Sequence, residues 1–170
     1  MAAVSARDVA AVLRARLPGV GAKRLHKLLY YCQGHHLAAL GEPLFRESIA
    51  AWDMGPVVDG LWAAEKRGDL GVSDAVLDEG ALNTVGYVLS RYGAFSGDLL
   101  ERMTHEESPW RRADASRRPG QSAPIRPEWI RDQFAAEVEP WPSGLPASGV
   151  DAVESEDSLD DLRAWAARGA

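Results

Sequence analysis

The chain of 170 residues contains one cysteine, Cys32, and no uncharged apolar run approaching the ~18 residues that a membrane-spanning helix needs. A single cysteine excludes an intramolecular disulfide and any multi-cysteine zinc or iron–sulfur site. The opening residues 1–8 lack the apolar core of a signal peptide, so the expectation is a cytoplasmic protein with no membrane partner. There is no excess of basic charge. The formal net charge is -6, which argues against a general nucleic-acid binder, because counterion displacement requires a basic field. Glycine-rich phosphate loops, a serine nucleophile elbow, a His-Glu-x-x-His pair and internal repeats are all missing.

What is present is an ordinary globular composition, 46% hydrophobic and 26% charged. A chain of this size buries roughly 70% of its unfolded surface and needs no covalent staple. Charge is unevenly placed. Residues 1–138 hold 17 basic and 18 acidic side chains; residues 139–170 hold 2 basic and 7 acidic. The chain is therefore read as a helical domain over 1–138 and an acidic, proline-rich extension over 139–170 with a short terminal helix.

Helical periodicity dominates the first part. Ser5 and Asp8 mark a capped start, with Val9, Val12, Leu13 and Leu17 on one face and Pro18-Gly19 as the stop. Residues 22–40 form the strongest helix signal: Leu25, Leu28, Leu29, Cys32, His36, Leu37 and Leu40 share a broad face, and Gly41 is the stop. Ile49–Trp52 reads as a short strand, and Leu70–Val72 as a strand that could pair with it. Pro56 fits a helix start, followed by an apolar face of Val57, Val58, Leu61, Trp62 and Ala64. Further helices are expected around Leu82, Val85, Val88, Leu89 and Tyr92, around Leu99, Leu100 and Met103 behind Ser96, and from Pro127 through Ile130 and Phe134 to Val138. The segment 104–110 reads as a helix break. The fold class is mainly α: a multi-helix domain with room for one small two-stranded sheet.

Candidate chemistry is sparse. Cys32 and His36 share a helix face, yet no second ligand cluster accompanies them, and both read as core residues; no metal site is expected. His105 and Glu106 could act as an acid–base pair, against the simpler reading that His105 caps a helix C-terminus. Arg111, Arg112, Arg117 and Arg118 could meet phosphate, or form a solvated face paired with nearby acidic groups. Lys23, Arg24 and Lys27 form a local basic patch that leaves operator DNA as a competing partner. Trp141 and Trp165 fall in the acidic extension. Leu159, Leu162 and Trp165 there recur at helical spacing behind Ser158. A helix that short is marginal alone, so it would dock on the body, dock on a partner, or stay frayed.

Several blocks together resemble one family. Lys27-Leu28-Leu29-Tyr30-Tyr31-Cys32-Gln33-Gly34-His35-His36-Leu37-Ala38 is similar to the "KLLYFAQGWHLA" helix of the Panacea-domain antitoxins, SocA-like or phage-associated GepA-like. Pro43-Leu44-Phe45, then Ile49–Trp52 and Gly55-Pro56-Val57-Val58, are similar to its "PLF…I.AW..GPVV" block. Thr104-His105-Glu106 and Pro109-Trp110 resemble its "THE..PW" element. The blocks span about residues 5–137 in order, and Tyr31-Cys32 departs from the usual aromatic-alanine pair.

The resemblance implies a non-catalytic, cofactor-free antitoxin that neutralises a cognate protein toxin, encoded by the adjacent gene, through direct binding. Hetero-oligomers with the toxin, or homo-oligomers, are compatible with that role. Lys27, Leu28, Tyr30, Trp52, Gly55, Pro56, Val57, His105, Glu106, Pro109 and Trp110 would then be scaffold. Trp141, Leu159, Leu162 and Trp165 are the candidate toxin contacts. The competing classes are a proteolytic adaptor, a hydrolase using His105 and Glu106, and an operator-binding regulator.

Overall fold

A computed structural model describes residues 4–69 and 73–137. Seven helices are found there: α1 (Ala6–Arg16), α2 (Ala22–Leu40), α3 (Asp59–Lys66), α4 (Glu79–Tyr92), α5 (Gly97–Glu106), α6 (Ser108–Asp114) and α7 (Pro127–Ala136). Three short strands, β1 (Ile49–Trp52), β2 (Gly55–Val58) and β3 (Ala123–Pro124), form an antiparallel sheet in the order β2-β1-β3. The fold is mainly α, as the periodicity predicts. No described helix is long and apolar enough to cross a membrane.

The helix boundaries follow local chemistry. Ser5 and Asp8 form a reciprocal capping box at α1, each side chain accepting the other's backbone N–H, which satisfies two otherwise orphaned donors. α2 ends at Gly41 with φ +73, a left-handed conformation that glycine adopts without a Cβ penalty. Asp78 and Ser96 cap α4 and α5 in the same way as Ser5 caps α1, by accepting a backbone N–H three residues on.

The architecture is organised around α2. Fourteen of its nineteen residues are buried, and α1, α4, α5, α7 and β2 all pack on it. Its one-sided amphipathic reading therefore understates its burial, and Leu40, expected inside, is 56% exposed at its C-terminal end. α4 forms where the Leu82–Tyr92 pattern places a helix; Leu82 itself is exposed, while Ala81 and Thr84 face the core. Gly34 lets α7 approach closely. A Cβ built there would fall 2.1 Å from the Phe134 ring.

Three expectations are corrected. Gly55–Val58 is a strand, and Pro56 opposes Ala51 on the edge of the sheet, where a missing N–H removes no ladder bond. Gly55 adopts φ +97 after the two-residue turn Asp53–Met54, so the chain reverses into β2 and the helix starts only at Asp59. The sheet has three strands; β3 completes it, with Ile125 donating its N–H to Ile49 at 2.8 Å. The expected break at 104–110 is confined to Glu107, whose extended backbone ends α5 and opens α6. Pro109 lies at the start of α6, a position needing no amide hydrogen, so Arg111 and Arg112 are helical. The expected Leu70–Val72 strand, Val138 and the extension 139–170 lie outside the described residues.

Gly34→Ala is expected to lower stability by about 1–3 kcal/mol, through overpacking against Phe134. Gly41→Ala, with open space around it, carries only the backbone cost of about 1 kcal/mol. Chemical denaturation of the two variants measures the difference.

Candidate functional site

A helix buried on nearly all sides must satisfy its polar groups internally, because an unpaired buried group costs several times what a paired one returns. α2 carries Arg24, His26, Lys27, Gln33 and His36 in buried positions. Gln33 uses both ends of its amide: Oε1 accepts the Leu44 and Phe45 N–H groups at 2.9 and 3.2 Å, and Nε2 donates to the Phe45 carbonyl at 2.9 Å. This fixes the Pro43–Phe45 segment ahead of β1. The Thr84 hydroxyl donates to the Gly80 carbonyl and accepts from His36 Nδ1 at 2.7 Å, which places the His36 proton on Nδ1.

His26 lies between two elements. The Val58 N–H donates to Nδ1 at 3.0 Å, so Nε2 carries the proton and donates to Glu65 at 2.9 Å. Glu65 also pairs with Arg14. One relay thus joins α1, α3, α2 and β2. Burial holds the His26 pKa below its ordinary value, opposed by Glu65.

Lys27 is fully buried. Its ammonium donates to the Pro56 carbonyl at 3.2 Å. A Cβ at Gly55 would meet Lys27 Cε at 2.6 Å and Thr104 Oγ1 at 3.0 Å, so glycine is required there for space as well as for its φ. Desolvation pushes the Lys27 pKa down to about 7, with Glu101 acting in the opposite sense. A lysine in this state lacks solvent access, and its role in the geometry is to tie β2 to α2.

Glu107 is the acidic counterpart. Its carboxylate accepts from both Tyr30 and Tyr31 hydroxyls, at 2.8 and 2.7 Å. Burial raises its pKa to about 7, while the two hydroxyls act to lower it. Tyr31 also stacks on Tyr92 with centroids 4.1 Å apart. Glu106, the acid singled out from the sequence, is exposed. The carboxylate that organises the interior is one residue later. The signal for it was the break itself, since a residue between two helices can turn its side chain onto α2.

The remaining motif residues surround the β1–β2 hairpin. Trp110 donates its indole N–H to the Trp52 carbonyl at 3.0 Å, and Trp52 donates to Asp59 at 3.1 Å. His105, in the last turn of α5, stacks on Trp110 with centroids 4.0 Å apart. Its Nε2 is buried without a hydrogen-bond partner, and burial holds its pKa down. No hydrogen bond joins His105 to Glu106, whose side chain is exposed. Leu28, Val57 and Pro109 are buried core. Trp52 and Val57 belong to a small second cluster with Ala22 and Trp62.

The basic patch expected from Lys23, Arg24 and Lys27 does not exist as a surface. Lys23 is ion-paired with Asp98 and Glu101, Arg24 is buried and donates to the Gly93 carbonyl, and Lys27 is inside. Helical position was legible, but coverage by α5 and β2 was not. Among the arginines, Arg117 pairs with Asp53 and Asp114, and Arg112 lies over the Trp129 ring. No group of three metal-ligating side chains occurs among the described residues. Cys32 is buried with its thiol pKa pushed up. Trp141, Leu159, Leu162 and Trp165 lie outside the described residues.

The two shifted groups give stability an unusual pH dependence. Glu107 titrates higher folded than unfolded, so its contribution falls as pH rises from 4.5 towards 7. Lys27 titrates lower folded than unfolded, so its contribution rises from pH 7 towards 10.5. Urea denaturation across pH is expected to show Glu107→Gln flattening the first limb and Lys27→Met the second. At pH 7, Glu107→Ala leaves two buried hydroxyls without an acceptor and is expected to cost about 2–4 kcal/mol, with Glu106→Ala within about 0.5 kcal/mol of wild type.

No curated protein and no solved structure matches the chain. A family model does, over residues 25–111, and its description is antitoxin SocA-like, Panacea domain. That span runs from α2 through the β1–β2 hairpin to Trp110, the same elements that Lys27, His26, Gln33 and Glu107 lock together. On that match, supported by a mainly helical fold with a small sheet, the chain belongs to the SocA-like Panacea-domain antitoxin family.

Proposed function

We propose that this chain neutralises a cognate protein toxin by stoichiometric binding, in the cytoplasm, without catalysis of its own and without a cofactor. The observation that supports this reading is the family match over residues 25–111. Antitoxin kinship concerns a role played against another protein. The interior placement of Lys27, Tyr30, Gly55, Val57 and Pro109 is compatible with it. Such residues hold a scaffold, and a scaffold of this kind leaves its outer surface available for a partner. The loss of the basic patch at Lys23, Arg24 and Lys27 weighs against operator DNA as the partner.

The toxin is expected to be the product of the adjacent gene, and the complex a hetero-oligomer. In this reading the acidic extension contributes to toxin contact. Its net charge of -5 over residues 139–170 would accelerate encounter with a basic surface, and Trp141, Leu159, Leu162 and Trp165 would supply anchors.

Two measurements test the proposal. Expression of the adjacent gene alone should arrest growth, and co-expression of this chain should restore it; no arrest, or arrest without rescue, rejects the antitoxin role. The purified pair should co-elute and the toxin should be inactive in the mixture. Inhibition seen only in cells, with faster toxin turnover, would instead identify a proteolytic adaptor. Truncation after residue 138 is expected to weaken rescue, and full rescue by the truncated chain removes the extension from the toxin contact.

A further inference from the structure

A partly open cleft of about 390 Å³ lies between the 43–49 segment and the start of α7. Leu37, Phe45, Ile49, Ile125 and Ile130 give it an apolar lining. Its charged liners are Arg46, Glu47 and Arg126. Glu47 accepts the Ala6 N–H at 3.0 Å through Oε1, while its Oε2 is buried without a hydrogen-bond partner, so the two arginines outnumber the one carboxylate in the lining. Arg46 and Arg126 are exposed and have no ion-pair partner among the described residues. Arg126 lies over the Trp129 ring at 5.3 Å, and Arg112 over the same ring at 4.3 Å. An apolar cleft is thus bordered by guanidinium groups that lack carboxylates.

We propose that this cleft is the docking site of the chain's own acidic C-terminal segment. Leu159, Leu162 and Trp165 enter the apolar lining, and the carboxylates among Asp157, Asp160 and Asp161 meet Arg46 and Arg126. Charge selects this occupant. A basic partner surface would face unpaired arginines, whereas residues 139–170 hold 7 acidic and 2 basic side chains. The three apolar residues recur every third position, the spacing by which a helical turn formed on a surface would present all three to it.

Reach also favours the segment. α7 starts at the cleft with Pro127 and ends at Ala136, so its ten residues carry the chain roughly 15 Å away. Twenty residues separate Glu137 from Ser158, and a chain of that length spans roughly 25 Å on average. The segment is therefore present at the cleft at an effective concentration of about millimolar, well above that of the same segment on a second copy. The inference goes beyond the antitoxin reading and makes the cleft and the toxin competitors for one stretch of chain.

The test uses the full chain without any toxin, so its outcome is independent of the antitoxin role. Backbone amide NMR of wild type is compared with Leu159→Ser/Leu162→Ser/Trp165→Ser and with Arg46→Glu/Arg126→Glu. The first variant should shift the amides of Leu37, Phe45, Ile125 and Ile130 while leaving the α1 and α4 amides in place. The arginine variant should release the extension, weakening docking at least about tenfold. Adding Asp160→Lys/Asp161→Lys to it should restore the wild-type pattern. Unchanged cleft amides in the first variant, or changes confined to another surface, overturn the proposal. Cleft shifts that disappear on about tenfold dilution show a second copy as the occupant and overturn it as well.

Discussion

The structure depends on one constraint: α2 is enclosed by other elements and yet is not apolar. A helix covered by α1, α4, α5, α7 and β2 is most simply built from leucine and alanine. This one also carries an arginine, a lysine, two histidines and a glutamine in buried positions. Each reaches out of the helix to a backbone or side-chain group of a different element, and those reaches determine where the hairpin, the Pro43–Phe45 segment, α3 and α4 can lie. Apolar packing sets the compactness of the body. The polar contacts set its topology, because a hydrogen bond is lost by a shift of an ångström that dispersion forces would tolerate.

The family motif becomes physically intelligible in these terms. Lys27 and Gln33 are separated by fewer than two turns of α2, and they hold the chain on either side of β1 in sequence, one through Pro56 of β2 and the other through Phe45 ahead of β1. Tyr30 and Tyr31 lie between them and hold Glu107. The blocks that look scattered along the sequence meet through α2. What they build is a frame, with Trp110 tied to the end of β1 through the Trp52 carbonyl and the Trp52 indole tied to the start of α3 through Asp59.

How much of this was legible in the sequence varied with the kind of signal. Capping side chains and stop glycines act locally, so α1 and α2 could be placed to within a residue from Ser5, Asp8, Pro18 and Gly41. Gly55-Pro56-Val57-Val58 reads as a helix start although it is a strand, because proline at a helix start and proline on an edge strand look alike until the partner strand is known. Periodicity in 22–40 revealed a helix with one apolar face but could not reveal that its polar face was covered too; the surface reading of Lys23, Arg24 and Lys27 followed from that gap. Glu106 and Glu107 were indistinguishable in composition, and only the extended backbone between α5 and α6 turns the second one inward. β3 has two residues, too few to leave a pattern.

The contact between Gly34 and Phe134 has a consequence for synthesis. One hundred residues separate the two along the chain, and α7 covers α2 only once both exist. As the polypeptide leaves the ribosome, its most demanding helix emerges early and waits for a lid made near the end of the described body. Translation proceeds at roughly 5–20 residues per second, so the interval is several seconds, during which Tyr30 and Tyr31 lack their final cover. Premature termination anywhere before Phe134 leaves the face of α2 around Gly34 without its α7 cover, so the interior is closed only in nearly finished copies.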